Sequence, residues 1–447
     1  MRILKFGGTS MTDANTWHRV IDIITQYRSP FVVVSATAHT TRKLIEAATA
    51  AVNNIEEARG IAEDIEKRHK KLTAEFLLNQ QKRNDLTKNC NTWIDQQIEE
   101  LNIQLNVINN EQELSERKKD TVASIGEKLS SYLFTQCASA EGLATQWINA
   151  NDIIRTDSEF GRANPDKAYI SSRAQSLKEL IKKDKIPVMG GYYGMDKNGI
   201  TTTLGFEGSD YSASLIGAAL DAEAIEIWTD VSGIYTCDPR LVSDAKPIPQ
   251  LSFQEATELA YFGAKVLHPS TTKPASKKNI PVWIKNIFKP NKAGTCISTE
   301  SASGEKVKAI TFKENCTIVT ITSSQTVMGY EFLAGVFDIL RWHHLAVDVV
   351  TTTEASVSIG IENDSSLDNA IEQLRGYGSV EVLNNQGIIS LVGCRNDKSQ
   401  ISDILSIIKS IPLNLISYSQ SKGNLNLVTD KDQVVPVVKK IHQKLFS

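Results

Sequence analysis

The stretch Arg2-Ile3-Leu4-Lys5-Phe6-Gly7-Gly8-Thr9-Ser10 decides the fold. It runs from a short apolar segment through a lysine into two glycines and two hydroxyls. A helical pattern follows over 12–27, a second β-rich run over 31–35, and another helix from about Thr41. Short strands alternating with longer helices predict parallel βαβ units. The cation then falls at a strand end and the glycines in the turn before a helix, where backbone N–H groups approach phosphate oxygens closely. Standing alone, the motif reads equally well as a tight turn with an exposed lysine. It matches neither the P-loop pattern nor the GxGxxG of a dinucleotide fold, so any phosphate binding here is of another type.

Outward from this start, 54–116 turns polar and helical, rich in Glu, Lys, Gln and Asn, with apolar residues three and four apart and no proline. It reads as a helical excursion from the sheet. Strand-like runs resume at 144–148, 187–189 and 224–229. The expectation is one three-layer α/β domain over 1–291, with a mainly parallel sheet and the excursion at 54–118. Small and polar residues then replace the apolar periodicity over 292–315, a linker with a joining strand. Beyond it, strands are expected at 308–312 and 318–321, a helix at 332–343, and strands at 346–350 and 356–361. A second set holds strands at 388–392, 415–419 and 424–428 between helices at 401–410 and from Asp432. Two βαββαβ-like units over 316–385 and 386–447 fit this pattern.

A chain of 447 residues exceeds a single domain and favours two or three. A formal net charge of −3 gives no pull toward phosphate backbones, so no nucleic-acid partner is expected. The cysteines Cys90, Cys137, Cys237, Cys296, Cys316 and Cys394 are scattered without a CxxC pair or a histidine at ligand spacing. They read as reduced thiols in a cytoplasmic protein, and no residue is assigned to a metal. The N-terminus shows no basic-then-apolar leader, and no run approaches eighteen uncharged apolar residues, so neither secretion nor membrane insertion is expected.

Three further segments carry chemistry. Thr201-Thr202-Thr203-Leu204-Gly205-Phe206-Glu207-Gly208-Ser209-Asp210-Tyr211 sets hydroxyls, glycines and a carboxylate before a helix, where Ser209 or Asp210 alone would read as a cap. Trp228 to Arg240 runs from a strand into a loop with aromatic, acidic and basic groups. Phe262-Gly263-Ala264-Lys265-Val266-Leu267-His268-Pro269 adds a lysine beside a glycine, with His268 structural before its proline.

Taken together, KFGGTS, TTTLGxxGSDY, WTDVxGIYTxDPR and FGAKVLHP, with Phe160-Gly161-Arg162-Ala163 between them, resemble the aspartate kinases in the same order and over essentially the whole chain. The resemblance implies the amino-acid-kinase fold, ATP across the C-terminal side of the sheet, and phosphorylation of the aspartate side chain. Lys5 and Asp210 match the residues credited with phosphoryl transfer. Gly7 and Gly8 sit in the phosphate turn, and Thr229, Asp230, Tyr235, Arg240 and Lys265 match nucleotide-contacting positions. Ser35, Thr41, Glu127 and Ser209 match the aspartate pocket, with Glu127 suited to the substrate ammonium. The C-terminal part resembles paired ACT domains, which implies a homodimer or dimer of dimers and a lysine or threonine effector. Phe332, Leu333, Asp348 and Glu354 are its candidate contacts, Asp348 facing an ammonium group. No homoserine dehydrogenase half is expected.

A substrate carboxylate is already an anion at neutral pH, so the transfer needs cations rather than a general base. Lys5, Lys265 and Mg²⁺ carried in with ATP are the expected sources. The sequence departs from the family at Phe206 and Glu207, where an arginine and a glycine usually stand; that arginine holds a substrate carboxylate. Arg42, beside Thr41, is the expected replacement, against the alternative that it pairs with Glu207 on the surface. Glu331 and Thr326 depart from the lysine-inhibited pattern. The rival readings are a kinase of the same fold acting on acetylglutamate or a carbamate, and an amino-acid sensor whose kinase has decayed.

Overall fold

The computed structural model describes residues 1–79, 83–263, 269–299, 307–323, 329–394, 398–419 and 423–446. It divides into two compact units: Met1–Ile234 with Pro249–Phe253 and Leu267–Glu300, and Tyr235–Ile248 with Gln254–Val266 and Ser301–Ser447.

The first unit is built on β1 (Arg2–Phe6), β2 (Phe31–Val34), β3 (Thr145–Ile148) and β4 (Ile186–Gly190). A small hairpin of β5 (Tyr193–Met195) and β6 (Thr201–Thr203) follows, then β7 (Ala224–Thr229), β8 (Gln250–Ser252), β9 (Val282–Asn286) and β10 (Thr295–Ser298). Among the described residues these form an eight-stranded sheet ordered β3-β4-β2-β1-β7-β9-β10-β8, with the hairpin separate. Every pairing in that sheet is parallel except β9 with β10. Phe31-Val32-Val33-Val34 is buried along its whole length, as expected of a strand covered on both faces.

The covering helices are α1 (Ala14–Ile24), α2 (Thr40–Ala51), α3 (Ile55–Phe76), α4 (Arg83–Glu111) and α5 (Glu116–Ala140), then α6 (Lys167–Lys182), α7 (Gly208–Leu220) and α9 (Pro269–Lys277), whereas α8 (Phe253–Tyr261) belongs from Gln254 onward to the second unit. Leu4, Phe6, Val32, Val34 and Trp228 share one core with the apolar faces of α1 to α5. The excursion is therefore α3 and α4, joined to the sheet core rather than standing off it. The other sheet face receives α7. A Cβ at Gly217 would meet Ile225 at 2.7 Å and Ile3 at 3.4 Å. Side chains alternate along a strand. Lys5 therefore shares the α7 face with Ile3, while Leu4 and Phe6 enter the opposite core.

The second unit holds β11 (Ala309–Ser323), β12 (Val347–Thr352), β13 (Ser356–Glu362), β14 (Gly378–Val392), β15 (Leu415–Ser419) and β16 (Asn424–Asp430), with α10 (Tyr330–Trp342), α11 (Leu367–Leu374), α12 (Lys398–Ile407) and α13 (Lys431–Phe446). Among the described residues its six strands form one sheet ordered β12-β13-β11-β14-β16-β15, antiparallel throughout. Two ACT-type halves share this sheet, α10 and α11 covering one half and α12 and α13 the other.

The strands expected at 308–312 and 318–321 are one strand, β11, and the expected limits near 316 and 386 fall inside β11 and β14. The register slips between Lys313 and Cys316, and Asn315 and Asn385 adopt φ of 65° and 58°. Such a bulge breaks the alternation that a sequence reading follows. The segment Tyr235–Ile248 also belongs here: Cys237 and Val242 pack with Ile408, Val438 and Ile441 in the core under α12 and α13. Thr236 Oγ1 lies 2.9 Å from His442 Nε2.

Candidate active site

Phosphate and carboxylate ligands of open α/β sheets bind outside the carboxyl ends of the strands. Four such ends meet here. Ser35 N–H donates to Phe6 C=O at 3.0 Å, Gly7 N–H to Trp228 C=O at 3.1 Å, and Gly191 N–H to Val34 C=O at 2.9 Å. The ends of β1, β2, β4 and β7 are thereby tied into one rim. A cavity of about 610 Å³ opens beside it, lined by Lys5, Gly8, Ser35, Thr41, Arg42, Glu127, Ser209 and Asp210. Residues far apart in sequence, and all expected from it, thus share one wall.

Two close approaches let these walls converge. A Cβ at Gly191 would lie 2.6 Å from the Ser209 Cα, so only glycine lets the start of α7 reach the end of β4. A Cβ at Gly126 would lie 2.9 Å from the Ala36 Cβ and 3.5 Å from Thr41 Oγ1, so glycine brings α5 against the loop after β2.

At the centre, Lys5 Nζ lies 2.5 Å from Asp210 Oδ1, with side chains only 10% and 8% exposed. Asp210 is in the first turn of α7 but does not cap it. The cap position is Glu207, left-handed at φ 53° and without a side-chain cap bond. Glu127, on α5, is buried, and its Oε2 has no hydrogen-bond partner. Burial pushes its carboxyl up to about 8, against the backbone N–H groups of Ala36 and its own residue and the charge of Lys5. An unpaired buried carboxylate of this kind is matched by a cationic ligand.

Arg42 also borders the cavity, but its guanidinium lies 69% exposed with Nε 3.3 Å from Glu46, one turn along α2. The pairing seen is with Glu46, not the Glu207 pairing weighed from the sequence. Phe206 stands at the same cavity, 74% exposed.

Sequence reasoning missed several residues here. Tyr192, left-handed at φ 73°, lines the cavity, and burial raises its hydroxyl to about 12. Asp120, buried on α5, accepts from Thr203 N–H and Gly161 N–H at 2.9 Å and from Thr203 Oγ1 at 2.6 Å. It pins Gly161, another lining residue, to β6. The clue in the sequence is an acidic residue on the apolar side of a helix, which is ambiguous without its partners.

The nucleotide candidates divide. Gly7, Gly8, Thr229 and Asp230 belong to the first unit, at the ends of β1 and β7, with Thr229 Oγ1 3.1 Å from Asp230 Oδ1. Tyr235 and Arg240 belong to the second, where Arg240 forks onto Asp238 at 2.6 to 3.1 Å. Lys265, His268 and Thr326 lie outside the described residues.

Of the effector candidates, Asp348 on β12 is buried and paired with Lys313 Nζ at 2.6 Å, so an ammonium group of the chain itself already faces it. Its Oδ2 remains without a hydrogen-bond partner. Phe332 differs from the expected open helix end: its side chain packs in the core under α10, and its N–H donates to Gly329 C=O. Leu333 packs at the edge of that core, and Glu354 sits in the turn between β12 and β13.

The sequence pattern described as "Amino acid kinase family" matches residues 1–286. Lysine-sensitive aspartokinase 3 of Escherichia coli is 32% identical over all of this chain and 99% of its own. The chain belongs to the aspartokinases, within the amino acid kinase family. The crystal structure of E. coli aspartokinase III with aspartate and ADP, in the R-state, superposes with a TM-score of 0.85 at 31% identity, covering all of both chains. The same aspartokinase with lysine and aspartate, in the T-state, gives 0.82 at 31% identity, again over both chains in full. No described helix is long and apolar enough to cross a membrane.

Proposed function

We propose that this aspartokinase transfers the γ-phosphoryl group of ATP to the side-chain carboxylate of L-aspartate, giving 4-phospho-L-aspartate, under feedback by an amino acid bound in its ACT-type unit. The observation that carries the reading is the single cavity in which the Lys5–Asp210 pair faces the buried, unpartnered Oε2 of Glu127. A substrate with one ammonium and two carboxylates suits such a site.

In this reading Glu127 takes the substrate ammonium, and Ser35, Thr41 and Ser209 hold its oxygens. Arg42 swings from Glu46 to the α-carboxylate that Phe206 leaves unserved. Lys5 meets the transferring oxygens while Asp210 orients it, and Gly7 and Gly8 offer backbone N–H groups to the phosphates. The attacking carboxylate oxygen forms the new P–O bond as the bond to the ADP oxygen breaks, so no proton need move. Catalysis rests on positioning and on charge stabilisation. Among the described residues no group of three or more His, Cys, Asp or Glu is arranged as a metal cage. Mg²⁺ would come in with ATP, held by the nucleotide's phosphates. Thr229, Asp230, Tyr235, Arg240 and Lys265 serve the nucleotide.

Lysine, rather than threonine, is the proposed effector, supported by the lysine complex of the E. coli relative. It binds through Asp348, Leu333 and Glu354. A homodimer or dimer of dimers through the ACT-type halves, and a cytoplasmic setting, belong to the same proposal. Turnover with aspartate and MgATP, trapped with hydroxylamine and repeated with acetylglutamate and carbamate, tests it. Hydroxamate from acetylglutamate alone would move the substrate. No ATP turnover with any acceptor would favour the decayed-kinase reading, which the buried Lys5–Asp210 pair already opposes.

A further inference from the structure

His69, in the excursion helix α3, is completely buried. Its Nδ1 lies 2.7 Å from the Ile65 carbonyl oxygen, an atom that only accepts, so Nδ1 carries the proton and Nε2 the lone pair. Burial lowers its pKa to about 4, which keeps the ring neutral at working pH. Nε2 lies 3.0 Å from Thr37 Oγ1, which must therefore donate to it. Thr37 Oγ1 is in turn 2.6 Å from Thr40 Oγ1 and, with its one proton committed, accepts from Thr40. The direction of this relay is set by one carbonyl a turn back in α3. The neighbouring Arg68 guanidinium donates to Ala38 C=O.

Two adjacent residues of α3 thus grip the loop between β2 and α2. Thr37, Ala38 and His39 of that loop and Thr41 in the first turn of α2 line the cavity, and the Ala36 carbonyl would lie 3.4 Å from a Cβ at Gly8. The loop also holds His39 left-handed at φ 66°, with no side-chain cap on α2. Such a backbone persists only where its surroundings over-determine it.

We propose that His69, with Arg68, is a positioning residue for aspartate recognition: α3 fixes the 35–41 loop in the shape that presents Ser35 and Thr41 to the substrate. Neither side chain is among those lining the cavity, so both act through the loop. This assigns the excursion a part in substrate binding. It rests on the aspartate reading above.

The test compares His69→Leu, Thr37→Val, the double variant, and His69→Gln, whose amide oxygen restores an acceptor near Nε2. KM for aspartate, KM for ATP, kcat and the melting temperature are measured in each. Losing the relay should raise the aspartate KM about fivefold to tenfold in either single variant, with the ATP KM changed less than about twofold. The double variant should be no worse than the worse single, since both remove one interaction, and His69→Gln should recover part of the loss. An unchanged aspartate KM with only a lower melting temperature would overturn the proposal, as would effects that multiply in the double variant. Should His69→Leu not fold, Thr37→Val and His69→Gln decide by the same criteria. An unmodified protein that does not use aspartate would bring down the functional reading and this inference with it. An active protein indifferent to both single variants would bring down this inference alone.

Discussion

Glu127 in the first unit and Asp348 in the second are both buried carboxylates pushed above their ordinary range by burial, and each keeps one oxygen without a hydrogen-bond partner. They differ in what faces them. Asp348 has Lys313 at 2.6 Å, itself over the Tyr261 ring at 5.0 Å. Glu127 forms no ion pair among the described residues and has only two backbone N–H groups, of Ala36 and its own, and the charge of Lys5. A buried carboxylate met by an internal cation is complete before any ligand arrives, whereas a buried carboxyl left unmet keeps its proton until a ligand cation favours its ionised form. The active site is thus incomplete as folded, while an effector ammonium at Asp348 must compete with Lys313.

The sharpest way to break the comparison is Lys313→Met. Leaving Asp348 buried and unpaired should cost about 3–5 kcal/mol of stability, read as a lower denaturation midpoint of the second unit. Added lysine should restore part of it, and a variant as stable as the parent would show that Asp348 needs no cation.

In the first unit, Lys5→Ala and Asp210→Ala should each lower kcat more than about a hundredfold, because charge on the transferring group loses its fixed partner. Circular dichroism should show the fold retained, and near-normal turnover in Lys5→Ala would remove it from the chemistry.

Glu127→Gln should raise the aspartate KM some tens of fold, through loss of a charge-assisted contact. It also carries a pH signature. The native state holds the Glu127 proton up to about pH 8, whereas the unfolded chain releases it near the ordinary 4.5, so the native state binds more protons across that window. Stability without ligand therefore falls as pH rises through it. Glu127→Gln should remove that fall, and kcat/KM for aspartate in the parent should climb toward pH 8. Identical pH profiles for parent and variant would contradict the assignment.

The smallest effect expected is at Arg42, whose present partner is the exposed Glu46, a contact worth under about 1 kcal/mol. If Arg42 moves to the substrate, Arg42→Ala should weaken aspartate by about 2 kcal/mol and leave ATP unchanged, and Phe206→Arg should restore binding. An unchanged aspartate KM would reject the compensation.

What the sequence made legible follows from what local pattern encodes. The strand–turn–helix at Lys5 to Ser10 and the glycine-dense approach to Asp210 announce themselves, and both line the cavity. His69 and Asp120 do not: each is one polar residue on a helix, and its meaning lies in partners 32 and 83 residues away. The shared sheet of the second unit was hidden by the bulge at 313–316, and the membership of Tyr235–Ile248 by its turn-rich composition. Cys237 and Val242 reach the core under α13 only in three dimensions. Arg42 was legible as a position, but not its pairing, since a helical i,i+4 contact and a swing into the cavity use the same residue.

The most direct test of the central claim is the hydroxylamine trap, run on the parent and Lys5→Ala with aspartate and MgATP over pH 6.5–8.5. The account predicts aspartyl hydroxamate from the parent, in equal amount to the ADP formed, rising toward pH 8 and nearly absent in Lys5→Ala. ADP without hydroxamate, or hydroxamate undiminished in Lys5→Ala, would contradict it.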